Sequence, residues 1–211
     1  MTAASGAAEL IAAAHQSVSA GLNHGTTGNL SLRLGDGLLI TPTGAACDRL
    51  TAADLVRLDA DGTPVGGRGV PSSEWRLHRD IYRARLEVGA IVHAHPVFAT
   101  TLSCERLDVH AVHYMIAAAG GATVRCAPYA TFGTEALSAG AVEALEGRRA
   151  CLLANHGLVA VGRDPFDALR VAIEVESVAE LYWRARQGGR PVILGDTEMA
   201  EVLERFRDYQ A

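Results

Sequence analysis

Apolar and polar residues alternate along several short stretches of the chain, and this pattern predicts β-strands. The stretch NLSLRLGDGLLIT (29–41) alternates on both sides of Asp36-Gly37, which is a strong short-range signal for a hairpin. A second hairpin is expected around Asp61-Gly62. Further strands are predicted at 90–95, at 123–127 and in the folded pair 150–162.

Three segments have helical patterns between these strands. An alanine-rich helix is predicted from about Ala7 to Ala20, ended by Gly21. A second helix is expected in 71–85, with Glu74 in its first turn, and a long one covers 165–187. Strands interleaved with single helices predict an α/β fold in which helices cover a mostly antiparallel sheet. The length of 211 residues suits one domain over 1–211.

Composition narrows the class of protein. The apolar fraction of 49% and the charged fraction of 20% are typical of a globular protein, and no apolar run reaches the roughly 18 residues of a membrane span. A net charge of −5 without a basic cluster argues against a nucleic-acid or membrane partner. The N-terminus lacks a basic signal-peptide region, so a cytoplasmic location is expected. Four scattered cysteines are then expected to be reduced: Cys47, Cys104, Cys126 and Cys151.

All 19 basic residues are arginines, and the chain contains no lysine. This excludes mechanisms that need a lysine amine, including Schiff-base chemistry, pyridoxal phosphate enzymes and the Walker A loop. Carbonyl chemistry on this chain would therefore need another electron sink, and a metal ion is the obvious one.

Two histidines, His93 and His95, stand on either side of one alanine at the end of a predicted strand. Residues i and i+2 of a strand share a face, so both imidazoles can lean onto one ion, although a backbone-bonded pair is the commoner reading of the motif alone. His156, in the tight connection after LLAN, adds a third imidazole. Three histidines leave an open zinc position, as catalytic sites do. Surface or packing roles fit the other histidines better: His15, His24, His78, His110 and His113.

Glu74 is the carboxylate that we add to this set. Taken alone, it fits a glutamate that opposes the helix dipole. It follows Ser72-Ser73, whose hydroxyls and the free N–H groups of a helix start form an anion site that suits phosphate. Glycine turns at Gly28 and Gly44 offer further backbone amides, although each alone is an ordinary turn.

Seven motifs together resemble one family: GLNHGTTGNLS, LITPTG, PSSEWRLH, HAH, HYMIAAAGG, CAPYATFGT and NHGL. The chain is similar, from about Leu10 to Tyr209, to the class II aldolase/adducin family, and within it to the L-fuculose-1-phosphate aldolases. The resemblance implies a three-layer α/β/α fold with a central mostly antiparallel sheet. It also implies a C4 homotetramer with one zinc ion per subunit, near the subunit interfaces.

The resemblance also assigns roles to individual residues. It implies zinc ligation by His93, His95 and His156, with Glu74 completing the coordination and acting as the acid/base residue. Tyr114 would be the proton donor at a neighbouring subunit's site. The substrate phosphate would be held by Gly28, Asn29, Thr43, Gly44, Ser72 and Ser73, and the aldehyde pocket would be walled by Phe132, Phe206 and Tyr209.

The implied reaction is the reversible cleavage of a ketose 1-phosphate, like L-fuculose 1-phosphate, to dihydroxyacetone phosphate and a short aldehyde such as L-lactaldehyde. Three related activities remain open: a 5-deoxyribulose 1-phosphate salvage aldolase, an L-ribulose-5-phosphate 4-epimerase and a methylthioribulose-1-phosphate dehydratase. A non-enzymatic adducin-like interaction domain is the alternative from another class. Pro96, Phe98 and Asn155 depart from the best-known bacterial motif, and we expect them to border the site and to affect substrate preference.

Overall fold

A computed structural model describes residues 3–209, and the side chains from 5 to 207. Nine strands form one sheet with the order β4-β3-β2-β1-β5-β9-β8-β7-β6. Every neighbouring pair is antiparallel except β7 and β8, so the predicted mostly antiparallel sheet is confirmed. The strands are β1 Asn29–Leu34, β2 Gly37–Ile40, β3 Val56–Leu58, β4 Pro64–Gly66, β5 Ala90–Ala94, β6 Val109–His110, β7 Thr123–Ala127, β8 Ala150–Leu153 and β9 Gly157–Gly162.

Helices cover both faces of this sheet, which gives the three layers. One core packs α1 and α5 onto residues such as Val92 and Leu158. The other core packs α2 and α4 onto residues such as Ile91 and Val159, because successive side chains of a strand point to opposite faces. The helices are α1 Ala3–Ser19, α2 Trp75–Ala84, α3 Val97–Cys104, α4 Glu135–Ala144, α5 Pro165–Gln187 and α6 Asp196–Tyr209.

The elements predicted from the sequence are confirmed, and several others were missed. Both hairpins turn where Asp36-Gly37 and Asp61-Gly62 indicated, and α5 has the predicted bounds. Glu74 is the residue before the first turn of α2 rather than a member of that turn. The elements without a strong pattern of their own were not predicted: α3, α4, α6, β6 and 3-10 helices at Cys47–Arg49 and Tyr114–Ala119. Among the described helices, none combines the length and apolar character of a membrane span.

A buried carboxylate, Asp167, joins the start of α5 to the sheet. It accepts hydrogen bonds from the Arg163 N–H at 3.0 Å and from the Arg170 guanidinium at 2.8 Å, and it pairs with Arg149 at 2.6 Å. Burial alone would raise the pKa of Asp167, but these donors hold it well below its usual range. The charged form of Asp167 therefore stabilises the folded state.

We expect Asp167→Asn to lower the free energy of unfolding by about 2 kcal/mol at neutral pH, because the arginines lose a charged acceptor. Because the pKa is lowered by folding, this contribution is present above the ordinary aspartate pKa of about 3.9 and disappears as the pH falls through the folded value. Urea unfolding at neutral and acidic pH measures both effects. Asp36→Asn, in an exposed turn, is the control. Equal loss in the two variants would contradict the role of Asp167.

Candidate metal and catalytic site

The site lies at the end of β5, near the middle of the sheet. His93 is fully buried and shares the face of Ile91, and it lies opposite Asn29 of β1 in the strand register. His95 follows directly after the last residue of β5, and Pro96 then stops the strand. The two imidazoles therefore point to the side of the sheet that α2 covers.

The chain beyond His95 is held by α5. Helix α3 begins at Val97, and Pro96 before it offers no side-chain cap. Instead, the carboxylate of Glu176 accepts the backbone N–H groups of Phe98 and Ala99, each at 2.8 Å. These are N–H groups of the first helical turn, which have no partner within a helix. Glu176 thus fixes the point at which the strand that carries the histidines becomes a helix.

His156 comes from the connection between β8 and β9. Asn155 before it has a positive φ of 53°, which asparagine tolerates better than most residues, and the His156 N–H closes the turn on the Leu153 carbonyl at 3.0 Å. This turn brings His156 beside the end of β5, since β5 and β9 are neighbours. The sequence-based reading, in which Asn155 serves the turn and His156 is left for another task, fits this geometry.

The three imidazoles form one cluster around Glu74. The ring centroids of His93, His95 and His156 lie 4.8–5.0 Å apart, and a nitrogen from each lies within 4.8 Å of the others. Glu74 Oε2 lies 2.9 Å from His93 Nε2, and Glu74 Oε1 lies 3.4 Å from His156 Nε2. The structure therefore brings together all four side chains that the sequence nominated as metal ligands.

The charge states of this cluster suit a cation. Burial, together with His93, lowers the pKa of His95 and of His156 to about 4, and His156 also lowers that of His95. Both rings are therefore neutral at pH 7 and offer lone pairs. Burial alone would also lower the pKa of His93, but the Glu74 carboxylate raises it. Burial would raise the pKa of Glu74, but His93, His156 and Asn29 together hold it far below its usual range.

Two further observations fit a bound metal ion. His93 Nδ1 lies 3.0 Å from the Leu158 carbonyl, which orients the ring and directs Nε2 at the cluster, as the hydrogen-bond partners of metal-binding histidines do. His93 Nε2 and His95 Nε2 face each other at 3.0 Å, and the buried Glu74 Oε1 makes no hydrogen bond with the part of the chain that the structure describes. Converging nitrogens beside a carboxylate oxygen that has no hydrogen-bond donor form a donor set that could hold a metal ion.

Because Gly157 has no side chain, the His95 ring can occupy the space beside it. A Cβ at this position would lie 2.6 Å from the Ala94 carbonyl oxygen and 2.6 Å from His95 Cδ2. We therefore expect Gly157→Ala to displace the His95 ring and to weaken metal binding by roughly tenfold or more, as loss of ligand orientation does. Competition with a chelator measures this affinity. Gly188→Ala, where a Cβ meets nothing closer than 3.7 Å, is the control, and unchanged affinity in Gly157→Ala would disprove the effect.

A cavity of about 360 Å³ opens beside the cluster. Its lining joins Glu74, His95 and His156 to the glycine turns and the serine pair, so every residue nominated for phosphate binding lies on the same cavity as the histidines. Ser72 is buried and its hydroxyl accepts the Glu74 N–H at 3.3 Å. The nominated residues on this lining are Gly28, Asn29, Thr43, Gly44, Ser72 and Ser73.

The side chain of Asn29 is used differently from what the sequence indicated. Its amide nitrogen donates to Glu74 Oε2 at 3.1 Å, and its oxygen contacts His78 Nε2 at 2.5 Å. From the sequence His78 is expected in a surface or packing role, but it is fully buried and connected to Glu74 through Asn29. The spacing of Glu74, His78 and Tyr82, each four residues apart on the buried face of α2, was the available signal.

The residues nominated for the aldehyde pocket, and the nominated proton donor Tyr114, lie in different parts of the structure. Phe132 is 63% exposed at the edge of the cavity. Tyr114, 49% exposed, and Phe206 line a different cavity, between the 3-10 helix Tyr114–Ala119 and α6, so within one subunit they are not with the histidines. Tyr209 closes α6, and its side chain lies outside the described residues.

Of the three departures from the bacterial motif, only Asn155 lines the cavity. The expectation that Pro96 and Phe98 border it is wrong for the described structure. Pro96 is buried, and Phe98 turns to the opposite face of the sheet, where its ring packs against Trp183 of α5 at 5.7 Å. The reason is the direction of the chain at the end of β5. His93 and His95 lie on the face of the sheet that α2 covers, and α3 carries the side chains that follow to the face that α5 covers.

Known proteins are similar to this chain in sequence. The model of the class II aldolase and adducin N-terminal domain matches residues 8–183. A 5-methylthioribulose-1-phosphate/5-deoxyribulose-1-phosphate aldolase of Rhodospirillum rubrum is 52% identical over 200 residues, which are 95% of this chain and 90% of that protein. An L-fuculose phosphate aldolase of Escherichia coli K12 is 47% identical over 190 residues, 90% of this chain and 88% of that protein.

The fold is shared as well. The solved structure of an L-fuculose 1-phosphate aldolase superposes with a TM-score of 0.94 at 42% identity and covers 98% of each chain. Sequence and fold agree over nearly the whole length, and six of the seven motifs that prompted the resemblance contribute residues to one cavity, the exception being HYMIAAAGG. The chain belongs to the class II aldolase and adducin N-terminal domain family.

Proposed function

We propose that this protein is a metal-dependent aldolase that reversibly cleaves a ketose 1-phosphate to dihydroxyacetone phosphate and a short aldehyde. The preferred substrate class is L-fuculose 1-phosphate-like, with L-lactaldehyde as the aldehyde. One observation carries the proposal: a single cavity brings the histidine cluster and Glu74 together with three hydroxyl- and amide-rich loops. A metal-type donor set beside an anion cradle is what cleavage of a sugar phosphate needs, and an interaction domain needs neither.

The resident metal is proposed to be one Zn²⁺ per subunit, held by His93, His95 and His156 with Glu74 beside it. Nitrogen-rich ligand sets suit zinc, whereas magnesium and calcium prefer oxygen ligands. When bound, such an ion acts as a Lewis acid that stabilises negative charge on the substrate oxygens, which a lysine-free chain has no amine to do. The neutral state of His95 and His156 is the state that ligation requires.

The phosphate is proposed to lie between the two glycine turns and the serine pair. Gly28 and Gly44 both have positive φ, 77° and 67°, which places their backbone in a conformation that side chains rarely adopt. A Cβ on Gly28 would collide with the Asn23 side chain and with the His93 carbonyl, so this turn packs directly on the strand that carries the histidines. The phosphate cradle and the histidine cluster are therefore held in a fixed relation.

Glu74 is proposed to move the proton. In cleavage, the substrate's C4 hydroxyl loses its proton, the C3–C4 bond breaks to give the aldehyde, and its electron pair stays on the C2–C3 fragment. C3 then takes a proton to give dihydroxyacetone phosphate. Glu74 lies against the histidines within the cavity, and one of its oxygens makes no hydrogen bond with the described residues. It is the carboxylate proposed to carry the proton: it takes up one proton, equivalent to the one that the C4 hydroxyl releases, and gives it to C3, which returns Glu74 to its charged form.

Tyr114 is proposed to serve the C4 oxygen at the site of a neighbouring subunit, in a homotetramer. Within its own subunit the ring of Tyr114 lies in a separate cavity with Phe206, and half of it is exposed. A tyrosine of this exposure beside apolar side chains fits a subunit contact. Phe206 and Tyr209 would approach the aldehyde end of the substrate in the same way.

A second substrate class is favoured by one relative. The Rhodospirillum rubrum protein, at 52% identity, is named for 5-methylthioribulose 1-phosphate and 5-deoxyribulose 1-phosphate. These substrates also yield dihydroxyacetone phosphate, with a different aldehyde tail, so the same cluster and phosphate cradle would serve them. Phe132 at the edge of the cavity discriminates such tails by only about 1–3 kcal/mol per group.

A substrate panel tests the proposal. Zinc-loaded protein is incubated with L-fuculose 1-phosphate, 5-deoxyribulose 1-phosphate, 5-methylthioribulose 1-phosphate and L-ribulose 5-phosphate, and dihydroxyacetone phosphate, epimer and dehydration product are each measured. Release of dihydroxyacetone phosphate from a ketose 1-phosphate supports the aldolase. Epimer or dehydration product alone would replace it with the corresponding activity. No turnover together with no bound metal would favour an adducin-like interaction domain.

We also propose that residues 1–211 form one domain of this type, in the cytoplasm. The family match ends at 183, but Met199 of α6 is buried in the same core as α1 and α5, so the last helix belongs to the same unit. The four cysteines are all free thiols, which fits a reducing compartment.

A further inference from the structure

A row of buried polar side chains runs from Glu74 into the interior between α2 and β1. Helix α2 presents His78 and Tyr82, four and eight residues after Glu74, on one face. Strand β1 presents Asn29 and Ser31, two residues apart, on the face opposite. All four are at least 95% buried, so each polar atom needs a partner from the protein itself.

The contacts between them are short and continuous. Asn29 Nδ2 lies 3.1 Å from Glu74 Oε2, and Asn29 Oδ1 lies 2.5 Å from His78 Nε2. His78 Nδ1 lies 2.6 Å from Ser31 Oγ, and Ser31 Oγ lies 2.8 Å from the Tyr82 hydroxyl. Four hydrogen bonds in series thus join Glu74 to a tyrosine two turns along α2.

The chemistry of the partners fixes the direction of every bond. The Glu74 carboxylate only accepts, so the Asn29 amide nitrogen donates to it and the Asn29 oxygen must accept from His78 Nε2. Burial lowers the pKa of His78 to about 3, so the ring is neutral and its Nδ1 accepts from Ser31.

The serine then has one role left. Its single proton is given to His78, so Ser31 Oγ accepts from the Tyr82 hydroxyl. Tyr82 is itself held by Arg33, whose guanidinium lies 4.7 Å from the centre of the ring and donates to the Tyr82 carbonyl at 2.8 Å. All four bonds therefore donate towards Glu74, and the far end is anchored.

We propose that His78, backed by Ser31 and Tyr82, is a positioning residue that fixes the Asn29 amide against Glu74 Oε2. Asn29 and His93 then both hold Oε2, and Oε1 is the oxygen left without a hydrogen bond from the described part of the chain. The chain of hydrogen bonds selects which carboxylate oxygen serves the reaction. This inference rests on the proposed function only in taking Glu74 as the group that moves the proton.

Loss of the His78 donor has a specific consequence. With leucine at this position, the buried Asn29 oxygen loses its partner and the amide is no longer held in one place, so its N–H is no longer fixed against Glu74 Oε2. We expect His78→Leu to lower kcat by about 10–100-fold while KM for the sugar phosphate and the zinc content stay within about twofold. His78→Gln retains an N–H donor and is expected to recover part of kcat.

Two further variants make the kinetic result decisive. Ser31→Ala, a smaller change, is expected to lower kcat less than His78→Leu but in the same KM-independent way, which covers the case in which His78→Leu does not fold. His110→Gln, at an exposed histidine of β6, is expected to behave as wild type. A wild-type kcat in His78→Leu would overturn the proposal. So would a raised KM with unchanged kcat, which would mean that the Asn29 amide serves the phosphate.

A measurement that does not use activity separates this inference from the proposed function. In protein labelled with ¹⁵N-histidine, His78 is expected to show the Nε2–H tautomer in wild type. In Ser31→Ala the Asn29 oxygen still accepts from Nε2–H, so the same tautomer is expected, and the Nδ1 resonance is expected to shift because that nitrogen has lost its donor. A protein that cleaves none of the sugar phosphates yet shows this tautomer pattern would refute the proposed function alone. An Nδ1–H tautomer in wild type would refute the hydrogen-bonded chain.

Discussion

Glu74→Gln is expected to keep the bound metal and to lose about 10²–10⁴-fold of turnover, the usual contribution of a positioned acid or base. Glutamine has nearly the same shape, and its amide oxygen still accepts the Asn29 N–H where Oε2 does now, at 3.1 Å. The glutamine amide cannot act as an acid or a base, so it cannot exchange a proton with the substrate carbon. The three histidines remain in place, so metal content is expected to stay close to that of wild type.

The measurement pairs zinc content with kcat for the best substrate of the panel. Glu87→Gln changes an exposed glutamate before β5, at the opposite end of that strand from the histidines, and is expected to have wild-type turnover. Near-normal turnover in Glu74→Gln would place the acid/base group elsewhere. Loss of zinc together with activity would show that Glu74 acts chiefly as a ligand.

His93→Ala is expected to abolish both stoichiometric metal binding and cleavage. His93 is central to the cluster, since its Nε2 lies 3.0 Å from His95 Nε2 and 2.9 Å from Glu74 Oε2. Two imidazoles and a carboxylate remain in the variant, but the buried arm oriented by the Leu158 carbonyl is gone. Wild-type protein stripped by a chelator is expected to be equally inactive and to recover when zinc is returned, whereas the variant is not.

Metal analysis, activity and thermal unfolding test this second prediction together. Zinc should raise the unfolding temperature of stripped wild type, because a ligand that binds only the folded state stabilises it, and should leave His93→Ala unchanged. His156→Ala, in a partly exposed turn, is a second variant with less risk to folding. His110→Gln is the control. Full activity in stripped wild type would exclude a metal-dependent reaction.

The elements that could be predicted from the sequence have their signals in their own residues. Strand β1 alternates in polarity, both hairpins carry an Asp-Gly pair at the turn, and α5 is bounded by Pro165 and by Gly188. By contrast, α3 has no cap of its own, because its first N–H groups are held by Glu176 from another helix. The strand β6 has two residues, too few for a periodic signal. A contact made by a distant segment leaves no pattern near the element that it stabilises.

The sequence by itself nominated the residues of the candidate site. The His-x-His pair on a strand, the histidine in a tight turn, the serines before Glu74 and the absence of lysine pointed to metal-assisted chemistry on a sugar phosphate, through motifs that resembled one family. Local periodicity also predicted a mostly antiparallel sheet covered by helices, whereas the three-layer arrangement was implied by the family resemblance.

Only the tertiary structure decided which of these residues meet and what each side chain does. It moved Phe98 away from the cavity, placed Tyr114 with Phe206 rather than with the histidines, and committed the Asn29 amide to Glu74. It also turned His78 from a packing residue into a link of a buried chain. The physical reason is that hydrogen-bond partners inside a protein are chosen by three-dimensional proximity and burial, which spacing along one chain reports only within a single helix or strand.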